Sequence, residues 1–166
     1  MTADPSRRSA AALPPPNLST LTTVLVAGAL ATVAFDLFGQ ALSPLAGFAN
    51  LAPVPLARQS VNVLFGVDSN AMGHLMHYVA GLVAYPVGWI FVARPILARL
   101  APSLGWFGAS AVYGVGLWIF ALYVMAHLVA GNPAFLGFTG ITWVALVGHV
   151  LFAVVAAFVT RRRERA

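Results

Sequence analysis

The sequence predicts an all-α integral membrane protein, a four-helix bundle with both termini cytoplasmic and a short interfacial helix in the first outer loop. Three observations predict it. The 166 residues are 60% hydrophobic and only 8% charged, against about 25% charged in a soluble domain. Four apolar runs, Leu21–Leu42, Ala71–Ala93, Trp106–Val129 and Thr142–Thr160, each approach the roughly 20 residues that cross a bilayer. The cations sit almost wholly on one side of those runs.

Residues 1–18 precede the first span and are rich in Pro, Ser and Ala, which predicts a disordered cytoplasmic tail. The transmembrane domain then covers 19–160, and 161–166 form a basic cytoplasmic tail. The first span is expected to be retained: its leader is long for a signal peptide and Asp36 interrupts the cleavage end. All nine basic residues are Arg, and the net charge is +5. Arg7, Arg8, Arg94, Arg99, Arg161, Arg162, Arg163 and Arg165 fall in the tails or in the connection between spans two and three, and only Arg58 lies on the other side. Positive charge is retained in the cytoplasm, so the termini lie inside. The localisation that follows is a bacterial inner membrane, crossed several times. The basic tail reads as a contact for anionic membrane lipids rather than for nucleic acid.

The first outer connection, 43–70, is the longest. Pro44, Pro53 and Pro55 break helix there. Between Pro55 and Gly66, Leu56, Leu64 and Phe65 mix with Arg58, Gln59, Ser60 and Asn62, a pattern for a helix lying in the interface with Arg58 reaching headgroups. Asp68, Ser69 and Asn70 offer caps for the second span. Pro86 is expected to kink that span, which membrane helices tolerate. Gly131-Asn132-Pro133 ends the third, and the uncharged loop to Gly140 either enters the headgroup layer or packs against a partner. Trp89, Trp106, Trp118 and Trp143 are placed for an aromatic belt. Gly73, Gly81, Gly88, Ala153 and Ala157 suit close helix packing.

The polar exceptions within the spans carry the functional reading. Thr32, Asp36 and Gln40 share a face of the first helix, and His77 and Tyr85 one of the second. Tyr113, Gly116, Phe120, Tyr123 and His127 step along the third, and Thr142, Ala145, His149 and Ala156 along the fourth. Polar faces turn inward in lipid. At 1.5 Å per residue, Asp36 lies about 22 Å from the inner end of its helix, while His77 and His149 lie about 10 Å below the outer surface. His74 and His127 form a layer roughly 5 Å deep above them. Asp36, His77 and His149 are therefore expected to converge.

Neutral imidazole is the commonest metal ligand, and bundles build cofactor sites from inward side chains. The candidate metal set is His74, His77, His127, His149 and Asp36; for a larger cofactor it is His77, His149 and His127. A nitrogen-rich site with one carboxylate suits Zn, Cu or Fe, and two facing His suit a b-type haem. The chain has no Cys, which removes thiolate sites and disulfides.

The segments Gly73-His74-Leu75-Met76-His77-Tyr78-Val79-Ala80-Gly81 and Val147-Gly148-His149-Val150-Leu151-Phe152 resemble a family of small bacterial four-helix inner-membrane proteins of unknown function. The resemblance covers the four spans and implies a multi-pass membrane protein without an assigned reaction. It singles out His77 and His149.

Two functions compete. One is a cofactor-binding or accessory membrane protein, not an enzyme, with a His/Asp cluster near the periplasmic face. The other is a structural subunit of a respiratory or photosynthetic membrane complex without bound cofactor, in which the cluster is a hydrogen-bond network. Partners would be such a complex or further copies of the chain. A transporter is disfavoured by the absence of paired broken helices or inverted halves.

Overall fold

The computed structural model describes residues 13–165, and most of the expected disordered tail lies outside them. The described residues are helical with no strand. Four helices are long and apolar enough to span a membrane: α1 (Leu18–Leu45), α3 (Asn70–Leu100), α4 (Pro102–Val129, opening with a 3₁₀ turn) and α5 (Gly140–Arg163). A shorter helix, α2 (Pro53–Phe65), lies between α1 and α3, and a 3₁₀ turn (Ala134–Phe138) joins α4 to α5. This is a multi-pass membrane architecture.

The spans outrun their hydropathic cores. Helix α1 begins at an N-cap, with Asn17 Oδ1 accepting from Thr20 N at 2.9 Å. The expected loop at Arg94–Arg99 is helix, because Pro95 through Leu100 continue α3 and only Ala101 leaves helical geometry before α4. Pro44 does not end α1 either. The reason recurs three times. Phe38–Leu42, Ala80–Ala84 and Gly88–Ala93 are hydrogen-bonded from i to i+5, and each stretch stops two residues before a proline, Pro44, Pro86 or Pro95. A proline ring collides with the carbonyl four residues back and supplies no N–H. Widening the preceding turn relieves both faults without breaking the helix. A fourth wide stretch, Phe120–Val129, ends α4. Its last carbonyls are taken by Ala130 N, Gly131 N and Asn132 N.

Helix α1 packs between α3 and α5, and α4 packs on α5. The contacts are backbone-close where glycine permits. A Cβ on Gly28 would sit 2.3 Å from the Leu82 carbonyl oxygen, and one on Gly114 would sit 2.5 Å from Val150 Cα. Ala27, Ala31, Ala153 and Ala156 are wholly buried in the same seams, the small-residue packing that membrane helices require. Helices α3 and α4 meet near the end that carries Ala101. Arg163 donates to Thr22 and Thr23 at that same end, so both described chain ends lie together.

At the other end, α2 packs against the start of α3 and against the last turns of α4. Gly73 admits it: a Cβ there would fall 2.9 Å from both Arg58 Cβ and the Val54 carbonyl oxygen. Arg58 pairs with Asp68 and donates to Asn70 at 3.1 Å, tying α2 to the turn before α3. Ser69 is the N-cap residue of α3 by backbone conformation. The uncharged loop folds back on the bundle. Phe135, Leu136 and Phe138 take left-handed φ of 49°, 54° and 54°, at roughly 1–2 kcal/mol per residue. Phe135 stacks on Trp118 and Tyr123, and its carbonyl accepts from the Thr142 hydroxyl, which offsets that cost.

Candidate functional site

Asp36 lies in the last turns of α1, before the wide stretch that precedes Pro44. Its Oδ1 accepts from Gln40 Nε2 at 2.8 Å and faces His77 Nε2 at 3.1 Å; Oδ2 lies 3.2 Å from the same nitrogen. A carboxylate accepts only, so the Nε2–H of His77 donates to it. In the neutral ring the lone pair then sits on Nδ1. His149, on α5, is buried. Its Nδ1 donates to the Ala145 carbonyl at 2.7 Å, which leaves the lone pair on Nε2. Phe35 separates the two imidazoles, its ring centroid 5.0 Å from His149 and 6.4 Å from His77. The Phe35 ring fits because residue 148 is glycine: a Cβ there would be 3.0 Å from it.

His77 and His149 line one chamber of about 450 Å³. Its walls are mostly apolar, from Phe35 on α1, Ala80 and Tyr85 on α3, Leu122 on α4 and Phe152 on α5; α2 covers one end with Pro55 and Leu56. Val79 and Phe120, which also line it, are 47% and 43% exposed on the flank of the bundle. The chamber therefore opens sideways between α3 and α4. Thr32 lies in its wall, 4% exposed, and its hydroxyl has no partner. Residue 81 must be small beside it, since a Cβ on Gly81 would approach Thr32 Oγ1 to 2.3 Å.

The expected polar residues do not all meet. His74 is exposed and stacks on Tyr78, the ring that also contacts His77. His127 closes the end of α4 by donating from Nδ1 to the Asn132 carbonyl at 2.7 Å. Asn132 in turn donates to Gln59 on α2. Among the described residues no group of three or more His, Cys, Asp and Glu side chains is arranged to hold a metal ion. A single centre ligated by Asp36, His74, His77, His127 and His149 is therefore not assembled.

The inward face of α5 is as expected, with Thr142, Ala145, His149 and Ala156 all buried. That of α4 is not. Phe120 and Tyr123 are exposed, and the buried face runs through Ser110, Gly114, Leu117, Ala121 and Ala126. Gap and face have one cause: α4 packs by its small residues on α5, which turns its aromatic side outward toward the chamber mouth and lipid. Trp89 and Trp118 are not belt residues, since Trp89 is buried and Trp118 donates to the Thr142 carbonyl at 3.0 Å. Sequence spacing missed Thr32 as an orphan hydroxyl. Only the close approach of Gly81 reveals it.

No protein-family model, no curated protein and no solved structure matches this chain.

Proposed function

We propose that this chain is a multi-pass protein of a bacterial inner membrane, with both termini cytoplasmic, that binds a lipid-soluble organic molecule in the chamber beside His77 and His149. The observation that supports the reading is the make-up of that chamber. It has apolar walls, a mouth on the lipid-facing flank, and two imidazoles whose tautomers are set by Asp36 and by the Ala145 carbonyl. A ligand arriving from the bilayer exchanges one apolar surrounding for another, so its polar group decides recognition. The two imidazole lone pairs accept. The ligand class that matches is an apolar molecule carrying a hydroxyl or ring N–H. Binding, not catalysis, is the role.

A second reading is favoured by one feature. His77 and His149 each give one ring N–H to a fixed acceptor, as metal-bound imidazoles do. Two such ligands, His77 on α3 and His149 on α5, suffice for a b-type haem iron once the Phe35 ring between them swings aside, whereas zinc takes four ligands.

Purification of the full chain in mild detergent, with an absorption spectrum and mass spectrometry of extracted small molecules, tests both. The expected result is one hydrophobic molecule retained in stoichiometric amount and lost in His77→Ala and His149→Ala. A haem absorption band, lost in the same variants, would transfer the site to the second reading. A preparation holding neither would leave the polar groups as the internal network of an accessory subunit.

A further inference from the structure

A second cavity, of about 580 Å³, lies at the opposite end of the bundle between α3, α4 and α5. It shares no residue with the chamber beside His77. Trp89 forms part of its wall, 2% exposed, with its indole N–H unpartnered. Arg94 lines it too, its side chain 12% exposed. One terminal nitrogen of Arg94 pairs with Glu164, while Nε is buried without an acceptor. Indole and guanidinium nitrogens only donate. Two residues that each hold a buried donor without an acceptor, Trp89 and Arg94, therefore line one cavity, and each donor carries the desolvation cost of an unmade hydrogen bond.

The rest of the wall has the matching sign. Arg161, held over the Trp106 ring at 5.5 Å, and Arg165 line the cavity as well. Three arginines thus line it against one acidic residue, Glu164, among the described residues. Gly105 and Trp106, in the first turn of the fifteen-residue helix Gly105–Ile119, also border it, and that helix has no side-chain cap. Its free N–H groups add positive potential. The local fold follows from Pro95. In a regular helix of 3.6 residues per turn, residues five apart diverge. The i to i+5 bonding of Gly88–Ala93 brings Trp89 and Arg94 toward one side.

We propose that this cavity binds a phosphate group, either the headgroup of an anionic phospholipid or free inorganic phosphate. Phosphate supplies several acceptor oxygens, enough for the rim guanidiniums and, once the Trp89 and Arg94 side chains turn toward it, for the indole N–H and the Arg94 Nε–H as well. Basic pockets between spanning helices hold lipid headgroups in this way. The site is independent of the ligand bound beside His77.

The test uses the full chain in a neutral detergent, with melting temperature and tryptophan fluorescence followed as short-chain phosphatidylglycerol, phosphatidylcholine or inorganic phosphate is added. Trp89→Phe keeps the ring and removes the N–H. Arg94→Lys keeps the charge for Glu164 and removes Nε. The expected result is saturable binding of phosphatidylglycerol, not of phosphatidylcholine, weakened roughly tenfold or more by each variant. Without ligand, Trp89→Phe is expected to melt no lower than the parent, since it discards an orphan donor; a purely structural N–H would show the reverse. Saturation by inorganic phosphate, with no gain from phosphatidylglycerol, supports the site with the free anion as its ligand. Equal binding of phosphatidylcholine and phosphatidylglycerol, or unchanged affinity in both variants, overturns the proposal.

Discussion

His77 is held on three sides. Asp36 takes its Nε2–H, Tyr78 packs on its ring at 5.2 Å, and Phe35 stands between it and His149. His74, one turn earlier, has only the stacked Tyr78 ring. The two histidines look equivalent in the sequence, and the bundle makes them unlike. His77→Leu leaves the Asp36 carboxylate short of a donor in a half-buried place and is expected to cost about 1–3 kcal/mol. His74→Leu is expected to stay within about 0.5 kcal/mol. Melting of both variants in one detergent checks this, and equal losses would remove the special status of His77. At this scale the meeting of Asp36 and His77 was legible, because period and helix direction set depth and face, whereas the Phe35 ring beside both His77 and His149 was not. His127 was not, because its partner is the Asn132 carbonyl, a backbone atom whose position depends on how α4 ends. Trp89 and Arg94 were not, because nothing in a hydropathy pattern reports a widened turn.

The amphipathic run before Gly66 was readable as a helix, and it is one, Pro53–Phe65, ended by Gly66 at φ 68°. Its role was less readable. Arg58 holds Asp68 and Asn70 rather than extending away, so the helix is fastened to the start of α3. The hydrogen bond from Arg58 keeps the Asp68 carboxyl below the usual carboxylate range. A carboxyl whose folded pKa is depressed contributes stability that is present above its unfolded value and lost as pH falls through the folded one. The fastening is therefore expected to hold at neutral pH, to weaken below the ordinary carboxylate value of about 4, and to fail only as pH falls through the depressed folded value. The protection of backbone amides at 66–70, relative to their intrinsic exchange rate at each pH, should fall across that range in the parent chain. In Arg58→Gln that protection should be low already at neutral pH; undiminished protection there would show that α2 is held by packing alone. Helix ends were the other illegible feature. Hydropathy stops at Leu42 and Ala93, whereas the helices run on to Leu45 and Leu100. The wide turns before Pro44 and Pro95 let each proline sit inside a helix.

For the molecule as a whole, four apolar helices were plain from composition and run length. The order of packing was not, since small-residue seams at Gly28 and Gly114 decide it. The distribution of Arg gives the orientation a direct check. Reporter fusions placed after Arg165 should report cytoplasm, and fusions at Asn132 should report the opposite side; a periplasmic signal at Arg165 would invert the topology. The two cavities lie at opposite ends of the bundle, one apolar with a flank opening and one rimmed by guanidiniums. A chain with this polarity meets each leaflet with a different chemistry.

The widened stretches also change what the gene tolerates. In a regular spanning helix, losing one residue rotates everything beyond the loss by about 100° and scrambles every seam. A turn bonded from i to i+5 already holds a residue more than a regular turn. Removing one there returns the turn to ordinary pitch and leaves the flanking faces where they were. Deletion of Val124, within the wide stretch Phe120–Val129 that no proline interrupts, should therefore be absorbed. Deletion of Val150, in the uniform stretch of α5, should not. Expression and melting of the two deletants would read the difference. The same helices that look irregular as geometry are, as hereditary material, the places where this membrane protein has length to spare.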